Sequence, residues 1–271
     1  MSTSARSLRF TTSSGMVYER RGSGQSLVFI HGWCLSKKMW LYAEEALSRD
    51  YEVITVDLPG FGLSDGLAGP FSLHRYSQEI TALVREADIT DAILVGFALG
   101  AMVALEACVG NPGIAAGVVS IAIPGGRYSP YEKMANLMRR DWPEFANRSA
   151  KALFHNQQTE PTLRWISDLF RQSSLASGLE VLSVLAAYEP RDVAPKVATP
   201  VLYLHAANDL VSPIEIGTDC VKASPCGSIS VIPDCGHLIV LDQKAKFHEA
   251  VTNFANSIWS IEGTGKEVVR K

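Results

Sequence analysis

Long uninterrupted apolar runs are missing from this chain of 271 residues; none approaches the ~20 residues that a membrane-crossing helix needs. The opening segment MSTSARSLRFTTSSG contains no apolar stretch of the kind a secretory signal requires, so a cytoplasmic protein with no membrane partner is expected. An excess of one charge sign is lacking as well. Lysine and arginine number 25 against 28 aspartates and glutamates, a formal net charge of −3, which offers no basic surface for nucleic acid. Cysteines are few and odd in number: Cys34, Cys108, Cys220, Cys226 and Cys235 show no C-x-x-C or zinc-finger spacing. That pattern argues for reduced thiols and against a disulfide framework or a bound metal. Charged residues make up only 20% of the chain while 47% is hydrophobic, enough to bury a large core and to exclude disordered, collagen-like and coiled-coil classes.

What is present is an alternation. Two short runs, Leu8 to Thr11 and Met16 to Arg20, flank Thr-Ser-Ser-Gly and read as a hairpin. SLVFI (26–30), VITV (53–56), AILVG (92–96), GVVSIAI (117–123), VLYLH (201–205) and SISVI (228–232) follow, Val/Ile/Leu-rich runs that suit strands covered on both faces. Segments 39–48, 76–88, 99–109, 213–222 and 244–259 carry helical spacing between them. The expected fold is α/β: a mostly parallel eight-stranded sheet with helices on both faces. From Pro124 to about Pro195 the rhythm breaks into helical patterns without a strand, so a core of 1–123 and 196–271 with a helical cap at 124–195 is expected. The cap is rich in apolar residues, Tyr131, Met134, Leu137, Met138, Trp142, Phe145, Phe154, Trp165, Leu169 and Phe170 among them, which must cover something. The tail after Ser260 is polar enough to be disordered.

The chemically informative segment is VGFALG, Val95 to Gly100. A strand ends at Gly96, a helix begins, and glycines flank position 98 with one residue on each side. This is the frame of a nucleophile elbow, G-x-S-x-G, whose small flanking residues permit a sharp strand-to-helix turn. Position 98, however, is alanine.

Four further motifs agree in order: HGW (31–33), VDLPGFGLSD (56–65), NDLVSP (208–213) and CGHLIVLD (235–242), each after an expected strand. Together they resemble the α/β-hydrolase fold over roughly residues 8 to 125 and 195 to 258. The resemblance implies a Ser-His-Asp mechanism that needs no cofactor. His237 would be the general base, Asp209 its orienting acid, and Ala98 occupies the nucleophile position; residues 112 to 131 contain no acid that could take the part of Asp209. The backbone N–H groups of Trp33 and Leu99 would form the oxyanion hole. Structural readings stand beside these. Asp209 could cap the helix near Pro213, His31 would organise its loop, Asp57 would anchor its turn, and His205 would be a satisfied core histidine. Neither Cys34 nor Cys235 sits on the elbow.

Alanine cannot attack a carbonyl, and loss of the nucleophile costs on the order of 10⁶ in kcat. Two explanations differ in kind. One is an engineered serine-to-alanine replacement, made to hold a ligand without turnover, that leaves every other part intact. The other is a chain that does without the nucleophile and works as a lyase, a cofactor-free oxygenase or a ligand-binding protein through His237.

HGWCLS, VDLPGFGLSD and SLHRYSQEI are similar to pimeloyl-[acyl-carrier protein] methyl ester esterases, the family of biotin biosynthesis that removes a methyl ester from a carrier-bound acyl chain. Phe97 and Ala101 depart from that family's elbow, which has tryptophan and glycine there. The resemblance implies an acyl ester substrate, with Trp33, Phe97, Tyr131, Met134, Met138, Trp142, Phe154 and Leu238 as candidate contacts. Lys133, Arg139, Arg140, Arg148 and Lys151 cluster in sequence on a slightly acidic chain, so the last four could dock an acidic acyl-carrier protein. The same charges also suit a solvated helix face. Monomer and dimer are both open, since apolar cap residues could equally face a second subunit.

Overall fold

A computed structural model describes residues 6–128 and 130–265. The first strands are β1 (Leu8–Thr11), β2 (Val17–Arg21), β3 (Ser26–Ile30) and β4 (Glu52–Val56). They are followed by β5 (Ile93–Phe97), β6 (Gly117–Ile121), β7 (Val201–Ala206) and β8 (Gly227–Ile232), and all eight form one sheet in the order β1-β2-β4-β3-β5-β6-β7-β8. β1 and β2 pair antiparallel with each other and β2 antiparallel with β4; every other pairing is parallel. The parallel strands therefore end at one edge of the sheet, and the loops that leave them there converge. Every residue of β3, β5, β6 and β7 is buried, as strands covered on both faces require. β8 differs from the sequence expectation. Its residues are mostly half-exposed because it is the outermost strand and lacks a neighbour on one side.

The helices over the sheet are α1 (Leu41–Leu47), α2 (Leu73–Glu86) and α3 (Leu99–Gly110). α2 starts earlier than its apolar spacing indicates, because the Ser72 hydroxyl accepts the Arg75 N–H at 3.1 Å and caps the first turn. α3, LGAMVALEACVG, is apolar almost all round and lies buried behind β5 and β6 with α2 over it.

Between β6 and β7 the chain forms α4 (Tyr131–Arg140), α5 (Trp142–Ala152), α6 (Glu160–Gln172), α7 (Leu175–Ala186) and the short α8 (Pro190–Val193). Their starts are written locally: the Asp141 carboxylate accepts from Glu144 N–H at 2.9 Å ahead of Pro143, and Ser174 Oγ accepts from Ser177 N–H at 3.0 Å. The two ends of this excursion meet at its base, where Gly126 N–H donates to Tyr188 O at 2.8 Å. A Cβ at Gly126 would stand 2.4 Å from Ala186 O, so only glycine permits that approach.

After β7 come α9 (Ile214–Ala223), α10 (Ile239–Asp242) and α11 (Lys244–Gly265). α11 carries the backbone past Ser260, so the first part of the tail expected to lack structure is helical; residues 266–271 lie outside the described residues. No helix among the described residues is long and apolar enough to cross a membrane.

Trp40 anchors α11 to the sheet: it is fully buried, with its ring 5.0 Å from Phe29 of β3 and 6.2 Å from Phe247 of α11. Trp40→Ala is expected to destabilise the fold by ~3–5 kcal/mol through cavity formation. Urea denaturation checks this: a midpoint shift with unchanged slope is the expected outcome, and no shift would contradict the packing role.

Candidate functional site

The turn from β5 into α3 is set by two close approaches. A Cβ at Gly96 would lie 2.2 Å from Gly100 O, and one at Gly100 would lie 2.1 Å from Ile30 O of β3. No other side chain fits either place, so the helix starts pressed against the strand ends. Ala98, between them, has φ 49° and ψ −105°. A non-glycine residue in such a conformation stores about 1–3 kcal/mol of strain, held here because Ala98 N–H bonds Ile121 O at 2.9 Å and Ala98 O accepts the first helical N–H groups.

Two distant loops meet near this turn. Asp209 follows β7 and His237 follows β8, and His237 Nδ1 lies 2.8 Å from Asp209 Oδ2. The Asp209 side chain is fully buried and that of His237 nearly so. Asp209 Oδ1 also accepts the N–H groups of Val211 (2.7 Å) and Ser212 (2.8 Å). Burial alone would favour the protonated acid; the His237 imidazole and the two amide donors outweigh it and hold the carboxyl below its ordinary range. An ionised Asp209 places the imidazole proton on Nδ1 and leaves Nε2 as the basic nitrogen. The imidazole also packs against Phe97, ring centres 4.9 Å apart.

The loop after β3 is organised by His31. Its Nδ1 donates to Gly32 O at 2.8 Å and its Nε2 accepts Leu58 N–H at 3.0 Å, a neutral tautomer that full burial favours by lowering its pKa. Asp57 braces the neighbouring turn by accepting from Lys37 N–H and Leu63 N–H at 2.7 and 3.0 Å. Trp33 projects from this loop, and its indole N–H donates to Gly178 O of α7 at 2.8 Å.

Ala98, Leu99, Phe97, Trp33 and His237 line one cavity of about 270 Å³, covered by Tyr131, Met134, Phe145, Leu153 and Phe170 of the helical excursion and by Leu185 of α7. Of the candidate contacts from sequence, Trp33, Phe97, Tyr131 and Met134 reach it. Met138, Trp142, Phe154 and Leu238 do not line it. Met138 is fully buried beneath Gly178, Trp142 stacks on Phe145 from behind at 5.8 Å, and Leu238 is fully buried where its N–H meets Leu153 O. Phe154 is half-buried in the connection beside Gly236. Phe145, Leu153, Phe170 and Leu185 were not singled out as contacts. Their helical spacing marks an apolar face, but which face meets the cavity depends on how the helices cross. Leu210, 87% exposed, borders the cavity beside Asp209; an exposed leucine next to an acid has no sequence signature.

The basic candidates Arg139, Arg140, Arg148 and Lys151 are all exposed. Arg140 and Arg148 flank an outer recess that shares Phe145, Ser149 and Ala152 with the cavity, together with the acids Asp141 and Glu144; Arg148 pairs with Glu144 at 2.7 Å. His205 corrects an expectation. It is a core residue, but neither ring nitrogen meets a partner within hydrogen-bond geometry, and burial pushes its pKa down to about 4, keeping it neutral. Burial raises the Cys34 thiol far up and the Cys235 thiol to about 12, so neither supplies a thiolate near neutral pH. No group of three His, Cys, Asp or Glu side chains among the described residues is arranged to hold a metal ion.

A carboxyl held below its ordinary pKa adds stability above the unfolded value, about pH 4, which is lost as the pH falls through the folded value. Asp209→Asn is therefore expected to cost ~2 kcal/mol at neutral pH, a gap that closes only in acid below about pH 4. Denaturant unfolding of both proteins across pH checks this; a gap of constant size would show that the ionised carboxylate contributes nothing.

Residues 27–250 match the profile of the Alpha/beta hydrolase family. The chain is 26% identical over 259 residues to a pimeloyl-[acyl-carrier protein] methyl ester esterase of Edwardsiella ictaluri, covering 90% of this chain and 98% of the relative. In structure it is similar to the esterase EaEST from Exiguobacterium antarcticum, with a TM-score of 0.86, 22% identity, and 92% of this chain and 99% of the other aligned. A bromoperoxidase from Bacillus anthracis aligns with a TM-score of 0.84 at 22% identity, over 92% and 100% of the two chains. The match spans the strand that leads into His31, the elbow at Ala98 and the loops of Asp209 and His237, and this chain belongs to the alpha/beta hydrolase family.

Proposed function

We propose that this site is built to bind a carboxylic acyl ester and to cleave it by a Ser-His-Asp mechanism, with Ala98 standing where the serine would be, so that the chain as it stands holds its ligand uncleaved. The observation that carries this reading is that the His237–Asp209 pair, bonded at 2.8 Å, and Ala98 face one largely apolar cavity. With a hydroxyl at position 98, His237 Nε2 would take its proton as the oxygen attacks the ester carbonyl. The N–H groups of Leu99, at the start of α3, and of Trp33 would receive the oxyanion, and the imidazolium, held by Asp209, would protonate the departing alcohol. Water would repeat the sequence to release the acid.

Among the described residues, the cavity walls carry no lysine, arginine, aspartate or glutamate. A charged acyl tail seated against these walls would meet no charged partner, which disfavours it, and an uncharged apolar or aromatic acyl group is the ligand class that fits. A methyl ester at the far end of a carrier-bound chain meets that requirement. The named relative from Edwardsiella ictaluri supports a carrier-bound substrate, and Arg140 and Arg148 beside the recess that adjoins the cavity are placed to meet an acidic carrier.

The second reading rests on the intact His237–Asp209 pair in a chain with no hydroxyl to activate: the imidazole would act directly on a bound ligand as a base, in a lyase or a cofactor-free oxygenase, or serve binding alone. Ala98→Ser separates the two. On the esterase reading, Ala98→Ser cleaves p-nitrophenyl esters of uncharged acids and is labelled by a fluorophosphonate, esters with a free carboxylate on the acyl tail are poor substrates, and the Ala98 protein is lower by on the order of 10⁶. Absence of both hydrolysis and labelling in Ala98→Ser would overturn it, and turnover by the Ala98 protein that His237→Ala abolishes would favour the base-only reading. For carrier docking, Arg140→Glu with Arg148→Glu in the Ala98→Ser background should raise KM for a carrier-bound methyl ester and leave small esters unaffected; equal kinetics on the carrier-bound ester would rule it out.

A further inference from the structure

The loop that presents His237 is not free-standing. Gly236 N–H donates to Asp242 Oδ2 at 2.7 Å, and the same oxygen accepts His155 N–H at 3.0 Å from the connection between α5 and α6. Asp242 Oδ1 accepts Gln158 Nε2 at 3.1 Å from that connection as well. On the other side of His237, Leu238 N–H donates to Leu153 O at 2.9 Å. Asn156 Nδ2 and Gln243 Nε2 both donate to Asp234 O, at 2.7 and 2.8 Å, at the start of the loop. The contact is so close that a Cβ at Gly236 would sit 2.4 Å from His155 N and 2.7 Å from the Phe154 carbonyl carbon. Both residues adjoining His237 are thus fixed to the helical excursion, and the Asp242 side chain bonds both segments at once. Leu153 lines the cavity with its side chain while its carbonyl holds Leu238. The loop is also tied to that of Asp209, through Asn208 N–H to Cys235 O at 3.0 Å.

From this geometry we infer that Asp242 is a positioning residue: its carboxylate locks the α5–α6 connection to the backbone beside His237 and so sets the imidazole against Asp209 and the cavity. A carboxylate suits the place because three N–H donors converge on it and an ionised acceptor makes the stronger bonds. The cavity wall and the imidazole then move together, since a shift of the 153–158 segment is passed directly to residues 236 and 238. The inference rests on the proposed role of His237 for its consequence in catalysis, but its structural content is independent of any turnover.

Two measurements separate these. In the Ala98 protein, the His237 Nδ1 proton shared with Asp209 is followed by NMR, with Asp209→Asn as the control that removes it. Asp242→Ala is expected to shift or broaden that resonance. Asp242→Asn is expected to change it less, because its carbonyl oxygen still accepts Gly236 and His155 while its amide faces a turned Gln158. In the Ala98→Ser background, Asp242→Ala is expected to lower kcat by up to about 10²-fold, the signature of a misplaced base. Asp242→Asn should recover part of that loss. An unmoved Nδ1 resonance in a folded Asp242→Ala protein overturns the inference whatever happens to turnover; should that variant fail to fold, Asp242→Ser, whose hydroxyl is too short to bridge Gly236 and His155, takes its place, and an unmoved resonance in it overturns the inference equally. A moved resonance alongside an inactive Ala98→Ser protein would uphold the positioning role and count against the esterase reading alone.

Discussion

Everything in this site follows from how closely α3 is brought to the ends of β3 and β5. Gly100 leaves room for Ile30 O, and Gly96 leaves room for the first helical turn. Those two contacts force the residue between them into a conformation that only glycine adopts without cost, and Ala98 occupies it at φ 49°. The strain is maintained by the sheet, through the bond from Ala98 N–H to β6, and by the helix that Ala98 O begins. A buried core on both sides of the sheet supplies the rigidity to sustain it. The alanine therefore sits in a setting shaped to lift a side chain clear of the sheet, though its own side chain carries no reactive atom.

The polar part of the site is small, and its buried carboxylate is fully bonded, which is how a charge survives in an apolar surrounding. Asp209 spends its oxygens on two backbone amides and one imidazole. His31 meets two backbone groups in the same way. Around them the walls are hydrocarbon and aromatic. Trp33 stands edge-on to Phe145 and Phe170 at 6.1 and 6.2 Å with its N–H tied to α7, so core loop and helical excursion share one aromatic cluster.

That sharing makes the helices between β6 and β7 more than a cover. They cover the cavity, they hold Trp33, and their α5–α6 connection lies directly against the backbone next to His237. The Asp242 carboxylate joins the two segments, alongside the bonds from Leu238 N–H to Leu153 O and from Asn156 Nδ2 to Asp234 O. The exposed Leu210 and half-exposed Val211 border the cavity beside Asp209, away from that junction.

Sequence alone determined the strand order in the chain, the break in rhythm after Pro124, the elbow frame and the loops of Asp209 and His237, because each is written in a local signal: an apolar run, a glycine pair, a short motif after a strand. It also sufficed for the structural parts of His31 and Asp57. Only the tertiary structure decided which apolar faces of α4 to α7 meet the cavity, and hence that Phe145 and Phe170 line it while Met138 and Trp142 do not. The same holds for the exposed face of β8, the unpaired ring of His205 and the bonds made by Asp242. Helical periodicity reports that a residue is buried; what it is buried against depends on how elements far apart in the chain cross, and no local pattern carries that information.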